Sequence, residues 1–396
     1  MTASPEVFIV AAARTAIGTY GGTLKDTPLA DLATLAVKTA LARSGAPADA
    51  IGHLAMGTVI PTDPRDAYLS RVAAINAGLP KETPAFNVNR LCGSGLQAII
   101  NAAQSILLGD CEMAIGAGAE SMSRGPYHVS AMRWGARMGD TSMIDYTVAA
   151  LHDPFHKIHM GMTAENVAEQ YGITRAMMDA LAAESHRRAA HAIAEGRFKS
   201  QIVPVEIVSR KGTIVFDTDE HVKASTTVES LGKMKPAFKK EGGTVTAGNA
   251  SGINDGAGAV VLASAAAVKA HGLKPLARLV AYSHAGVEPT IMGIGPIPAT
   301  RRVLERAGLS IKDLDVIESN EAFAAQACAV VQELGLDPAK VNPNGSGISL
   351  GHPIGATGAI ITTKALYELE RIGGRYALAT MCIGGGQGIA AIFERA

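Results

Sequence analysis

The stretch ALARSGAPADAIGHL (residues 40–54) returns in altered form as VLERAGLSIKDLDVI (residues 303–317), with the same apolar rhythm and Arg43-Ser44-Gly45 facing Arg306-Ala307-Gly308. The offset is 263 residues (303 − 40). Carried forward without a gap, it sets Ser94-Gly95 against Thr357-Gly358, Ala119 against Cys382 and Asn89 against His352. A register that survives separate segments marks a duplicated unit. The second unit ends in Gly388-Ile389-Ala390-Ala391-Ile392-Phe393, and its counterpart in the first is read as Gly258-Ala259-Val260-Val261-Leu262, at an offset of 130 (388 − 258). The shortfall places an insertion between about residues 121 and 250.

Within each unit, short apolar runs alternate with helical patterns. Phe8-Ile9-Val10, Met113-Ala114-Ile115 and Val260-Val261-Leu262 read as buried strands. Residues 29–43 and 97–108 read as helices closed by Gly45 and Gly109. This alternation predicts an α/β fold of mixed sheets covered by helices. The insertion carries a helix from Met177 to Glu195 and hairpin signals around Lys211-Gly212. The expected division is 1–120 plus 251–270, an inserted 121–250, and 271–396.

Composition supports an enzyme with tight layers. Aromatic residues are only 4% while glycine reaches 43, so close approach of small side chains replaces an aromatic core. With 36 basic and 36 acidic side chains there is no net field to draw nucleic acid or an anionic membrane. The apolar run near the N-terminus lacks a basic region before it and is broken by Arg14, so no signal peptide or membrane span is expected. The 4 cysteines have no close spacing, which argues for reduced thiols in the cytoplasm and against disulfides or a zinc site.

Cys92, in NRLCGSGLQA, opens a predicted helix whose N-terminal amides favour a thiolate. A buried, inert thiol is the other reading of that context. His352, in LGHPIGATGA, is placed to draw the proton from such a thiol, or serves as a turn histidine. Cys382 precedes Gly384-Gly385-Gly386, a run whose amides can line an oxyanion site. Cys111 and Cys328 sit in apolar contexts and are assigned to the core. The spacing of His152, His156 and His159 is broken by Pro154 and Gly161, which favours a loop near a ligand over a metal site.

In this order and spacing NRLCGSGLQA, GAESMSR, HMGMTAENVA, TAGNASGINDGA, NEAFAAQ, GHPIGATGA and MCIGGGQG resemble the thiolase family over essentially the whole chain, nearest to bacterial β-ketothiolases acting on short 3-ketoacyl-CoA esters, including those feeding polyhydroxyalkanoate synthesis. The resemblance implies two βαβαβαββ halves stacked in five αβαβα layers, with a loop domain inserted in the first that binds coenzyme A. It implies Cys92 as acylated nucleophile, His352 as its activator and an oxyanion donor, and Cys382 as the acid/base at the α-carbon. Asn320 would hold a water in one oxyanion hole, and the amides of Cys92 and Gly384 would form the other. Coenzyme A would lie against Leu151, His159, Met160, Lys223, Ser230, Ala247, Gly248, Ser251, Ala322 and Phe323. Lys223 stands where relatives often have arginine, and offers a point charge instead of a planar fork. Ser346, between Gly345 and Gly347, departs from the adjacent glycines of many relatives without touching a catalytic group. The partners implied are acetyl-CoA, acyl-CoA and 3-ketoacyl-CoA as substrates, no permanently bound cofactor, and a homotetramer built from dimers. Ketoacyl and hydroxymethylglutaryl synthases share the duplicated fold but lack a cysteine at the place of Cys382, and a non-catalytic lipid-binding member would show a broken catalytic set.

Overall fold

In the computed structural model, which describes residues 6–210 and 212–396, the first half of the chain runs β1 (Val7–Thr15), α1 (Leu29–Ser44), β2 (His53–Gly57), α2 (Leu69–Asn76), β3 (Ala85–Val88), α3 (Ser94–Leu107) and β4 (Met113–Ser121). An excursion follows that holds α4 (Met160–Tyr171) and α5 (Arg175–Ala194), and the chain then returns as β5 (Asn254–Ser264). The second half repeats the order as β6 (Ala277–Gly286), α6 (Pro296–Ala307), β7 (Val316–Ser319), α7 (Ala324–Leu334), the short α8 (Gly347–Leu350), α9 (Thr357–Ile372), β8 (Tyr376–Ile383) and β9 (Gln387–Arg395). The counterpart of β3 is reduced there to one parallel bridge, Ile317 to Val341.

The strands order as β3-β2-β4-β5-β1 and β6-β9-β8-β7, two blocks joined at a seam where Phe8 meets Arg278 and Ile9 meets Ala277. Equivalent strands carry equivalent irregularities, since β1 slips between Ile9 and Ala11 and β6 between Leu279 and Ala281. Period-2 alternation divides β5 between two cores. Val261 packs outward with Leu32, Val37 and Leu69 of α1 and α2, whereas Val260 and Leu262 pack inward with Ile99 of α3, Ile361 of α9 and Met381 of the other block. On the far side Val303 of α6 covers Leu378 and Ile392. The result is five layers, helix, sheet, helix, sheet, helix, as expected.

At the centre α3 and α9 cross about the pseudo-twofold through the two residues that the repeat had paired. A Cβ on Gly95 would stand 2.7 Å from the backbone nitrogen of Ala359, and one on Gly358 would collide with that of Leu96. The strand ladders correct the repeat at one point. Ala119 pairs with Ala257, and its equivalent Cys382 pairs with Gly388, so Gly388 corresponds to Ala257 and not to Gly258. Matching glycine to glycine was one residue off, and in a strand one residue exchanges the two faces.

Val205–Ser209 and Gly212–Phe216 pair as the expected hairpin, with Lys211 of the predicted turn outside the described residues. The excursion is tied to β1 by a buried fork. Arg14, fully buried, donates from both terminal nitrogens to Asp219 at 2.8 and 2.9 Å and lies 4.9 Å over the Phe198 ring. Among the described residues no helix is long and apolar enough to cross a membrane.

Candidate active site

The turn between β3 and α3 is shaped by short polar side chains. Asn89 Oδ1 accepts the Leu91 N–H at 2.9 Å, while Ser94 Oγ accepts the Arg90 N–H at 2.9 Å and donates to the Leu91 carbonyl at 2.6 Å. These bonds hold Leu91 at φ 46°, a left-handed conformation unusual for a branched residue, immediately before Cys92. Asn89 therefore shapes the turn that carries Cys92, while its repeat equivalent His352 makes different contacts.

Cys92 is half-buried on the wall of a cavity of about 380 Å³. The N–H groups of Gly384 and of Cys92 itself both bear on the sulfur and favour its anion. Burial prevails over them and, with the charge of Glu120, pushes the thiol up to about 11. His352 is buried, and desolvation lowers it to about 4, so its ring is neutral. Its Nδ1 lies 2.7 Å from Thr357 Oγ1, whose single proton goes to the Pro353 carbonyl at 2.9 Å. Oγ1 must then accept from Nδ1–H, which leaves the lone pair on Nε2. The His352 N–H is fixed at 2.9 Å by Asn254 Oδ1 at the start of β5. A histidine of the second half is thus hung from a strand end of the first.

Cys382 and Asn320 stand behind this wall, both fully buried. Cys382, the penultimate residue of β8, lies in an apolar cluster with Met160, Met292, Ala322 and Phe323; burial, and the charge Cys92 carries once ionised, raise its thiol far above the ordinary range. Asn320 follows β7, its Nδ2 3.5 Å from both ring nitrogens of His352 and its Oδ1 without a protein partner.

Leu151, His159, Met160, Ala247, Ser251, Ala322 and Phe323 line the same cavity as Cys92, His352 and Gly384. Lys223, Ser230 and Gly248 do not. Lys223 and Ser230 are exposed, and Gly248 packs on Leu231 and Met234. Sequence reasoning missed Met122, Phe238, Met292 and Ile354 on the cavity wall. Phe238 stacks on His159 at 4.7 Å, an apolar contact with no motif to announce it. Of the other histidines, His156 pairs with Asp153 at 3.0 Å and His152 Nδ1 meets the Val148 carbonyl at 2.8 Å. Cys111 and Cys328, assigned to the core, pack against it at its margin. Both are half-buried, Cys111 in the turn before β4 and Cys328 on α7 beside a second cavity.

The chain matches two family models, the thiolase N-terminal domain over residues 7–266 and the thiolase C-terminal domain over residues 273–395. Beta-ketothiolase BktB of Cupriavidus necator is 66% identical over 390 residues, 98% of this chain and 99% of that protein. An acetyl-CoA acetyltransferase of Pseudomonas aeruginosa is 49% identical, covering 98% of this chain and 99% of its own. The crystal structure of human mitochondrial 3-ketoacyl-CoA thiolase superposes with a TM-score of 0.97 at 46% identity, over 99% of each chain. By its sequence, its layers and the relatives that share both, the chain belongs to the thiolase family.

Proposed function

We propose that the enzyme catalyses the reversible condensation of acetyl-CoA with an acyl-CoA, and the reverse thiolysis of short 3-ketoacyl-CoA, through a thioester on Cys92. The observation that carries this reading is the pairing of a thiol under two converging amides with a histidine whose lone pair is on Nε2, both lining the same cavity. Both groups are neutral at rest. Proton transfer from Cys92 to His352 therefore accompanies attack on the keto carbon, as negative charge passes from sulfur to the carbonyl oxygen. The carbon–carbon bond breaks, and the acetyl-CoA enolate leaves with a proton from Cys382. Free coenzyme A, deprotonated by Cys382, takes the acyl group and returns Cys92 as a thiol. The amides of Cys92 and Gly384 form one oxyanion site; a water held on the unpaired Oδ1 of Asn320, together with His352 once it has taken the thiol proton, forms the other. Removal of one such donor costs about 3 kcal/mol of barrier. A synthase mechanism has no use for the second thiol, and the placement of Cys382 within electrostatic reach of Cys92 favours thiolysis.

Residues 121–250 are proposed as the inserted coenzyme A domain, with 1–120 plus 251–270 and 271–396 as the two halves. Cavity residues Leu151, His159, Met160 and Ala247 from that insertion, with Ser251, Ala322 and Phe323, are assigned to the pantetheine arm. Lys223, Ser230 and Gly248 are assigned to the far end of the coenzyme. A cytoplasmic homotetramer completes the reading. Its support is Trp134 and Met138, 91% and 96% exposed and apolar, on an arm of the insertion suited to contact another subunit. Initial-rate kinetics test the chemistry. Parallel double-reciprocal lines are expected for the wild type, and Cys92→Ala should lose at least about a thousandfold in turnover. Comparable activity in that variant refutes the assignment.

A further inference from the structure

One fully buried carboxylate acts on Cys92 only through its charge and takes no proton-transfer or covalent step in this chemistry. Glu120, near the end of β4, accepts three backbone N–H groups: that of Ile60 on Oε1 at 3.0 Å, and those of Val59 and Gly355 on Oε2 at 3.1 and 2.8 Å. The donors come from both halves. Val59-Ile60 follows β2, whereas Gly355 lies three residues beyond His352. A Cβ on Gly355 would stand 2.6 Å from Glu120 Oε2 and 2.8 Å from the Thr58 Cα, so carboxylate, turn and histidine loop are in direct contact. Burial pushes the carboxyl up to about 8 and the three amides oppose it. Every bond it makes is accepted, which is the geometry of the anion.

The two tethered segments differ in what else holds them. His352 has anchors of its own in Asn254 and Thr357. Val59 and Ile60 form one apolar cluster with Met122 and Ile354, against which Cys92 packs. Met122 and Ile354 front the cavity beside Cys92 and Val59-Ile60 backs them. An acyl chain on Cys92 would rest against that wall. The geometry points to Glu120 as a positioning residue that fixes the depth of the acyl recess and so limits the chain length accepted. This inference rests on the acyl-Cys92 reading above.

A glutamine has one acceptor oxygen. Placed at the Oε2 position it keeps Val59 and Gly355 and turns its NH2 against the Ile60 N–H, which frees the wall while sparing the histidine loop. The test compares kcat/KM for acetoacetyl-CoA and 3-ketohexanoyl-CoA in wild type, Glu120→Gln and Ile60→Val. In Glu120→Gln the ratio should move about tenfold toward the longer substrate, chiefly through KM, the size expected when an apolar pocket changes by a methylene or two. Ile60→Val, which trims the wall with Glu120 intact, should shift it the same way by less. An unchanged ratio in Glu120→Gln, or an equal fall in kcat for both substrates, overturns the proposal. Should Glu120→Gln not fold, Ile60→Val decides, and no shift there overturns it. The Cys92 acyl adduct of the wild type, measured in parallel, separates the two readings. An adduct without a ratio shift sinks this inference alone, and no adduct sinks the mechanism beneath it.

Discussion

Cys92 combines a motif that favours a thiolate with surroundings that disfavour one. Amides pull its pKa down, yet burial takes it to about 11, and His352 at about 4 gains a proton only as charge moves onto substrate. In the free enzyme, alkylation of Cys92 by iodoacetamide should keep climbing with pH throughout the range in which the protein stays folded, because the thiolate is the reactive form. A plateau near neutral pH would show a resting thiolate and contradict the paired neutral state. Thr357→Val tests the histidine. It removes the acceptor of Nδ1–H while nearly preserving shape, so kcat should fall about tenfold to a hundredfold with KM for coenzyme A little changed. An unaltered kcat would mean that Thr357 does not set the tautomer. The residues proposed for catalysis were legible because Cys92, His352 and Cys382 stood in unlike glycine-rich frames, while Asn320, in NEAFAAQ, was read only through the family resemblance. Met122, Phe238 and Glu120 were not, since an apolar cavity wall reads like core and a buried carboxylate bonded only to amides leaves no spacing to recognise.

Elements α3 and α9 carry the duplication into three dimensions. Their repeat-paired glycines meet backbone to backbone, and the loops bearing Cys92 and His352 leave the crossing on either side. Gly358→Ala puts a methyl into the Leu96 backbone, which has no flexible side chain to yield. The expected loss is about 3 kcal/mol or more, seen as a lower urea midpoint at unchanged slope. A midpoint equal to wild type would show that the crossing is looser than described. At this scale the sequence allowed α1 to be placed almost to the residue, with Leu29–Ser44 ended by Gly45 at φ 69°. It did not reveal that the second half lacks a full third strand, because one bridging residue, Val341, leaves no alternating pattern to read. The one-residue slip in β5 has a related cause. Glycine and alanine are both small enough for that strand, so only the hydrogen-bond ladder decides the register.

For the whole molecule, stability should depend on pH through neutral histidines that are buried or half-buried. His186, His284 and His352 are each lowered to about 4, mainly by burial, whereas an unfolded histidine titrates near about 6.5. Below that value the unfolded chain takes up protons that the folded chain refuses. Stability present above about pH 6.5 is therefore lost progressively down to about pH 4, with His352 alone contributing about 3 kcal/mol. Thermal melts by far-UV circular dichroism between these limits check the direction, and a melting temperature that stays level on acidification would contradict it. Far-UV detection is preferable because the single tryptophan, Trp134, is 91% exposed and a poor reporter of the core. The proposed chemistry turns on a covalent intermediate. The most direct measurement is a pulse of acetoacetyl-CoA, an acid quench, and peptide mass spectrometry. An acetyl adduct on the Cys92 peptide that disappears when coenzyme A is added is the predicted result. No adduct and no acetyl-CoA formed would contradict it.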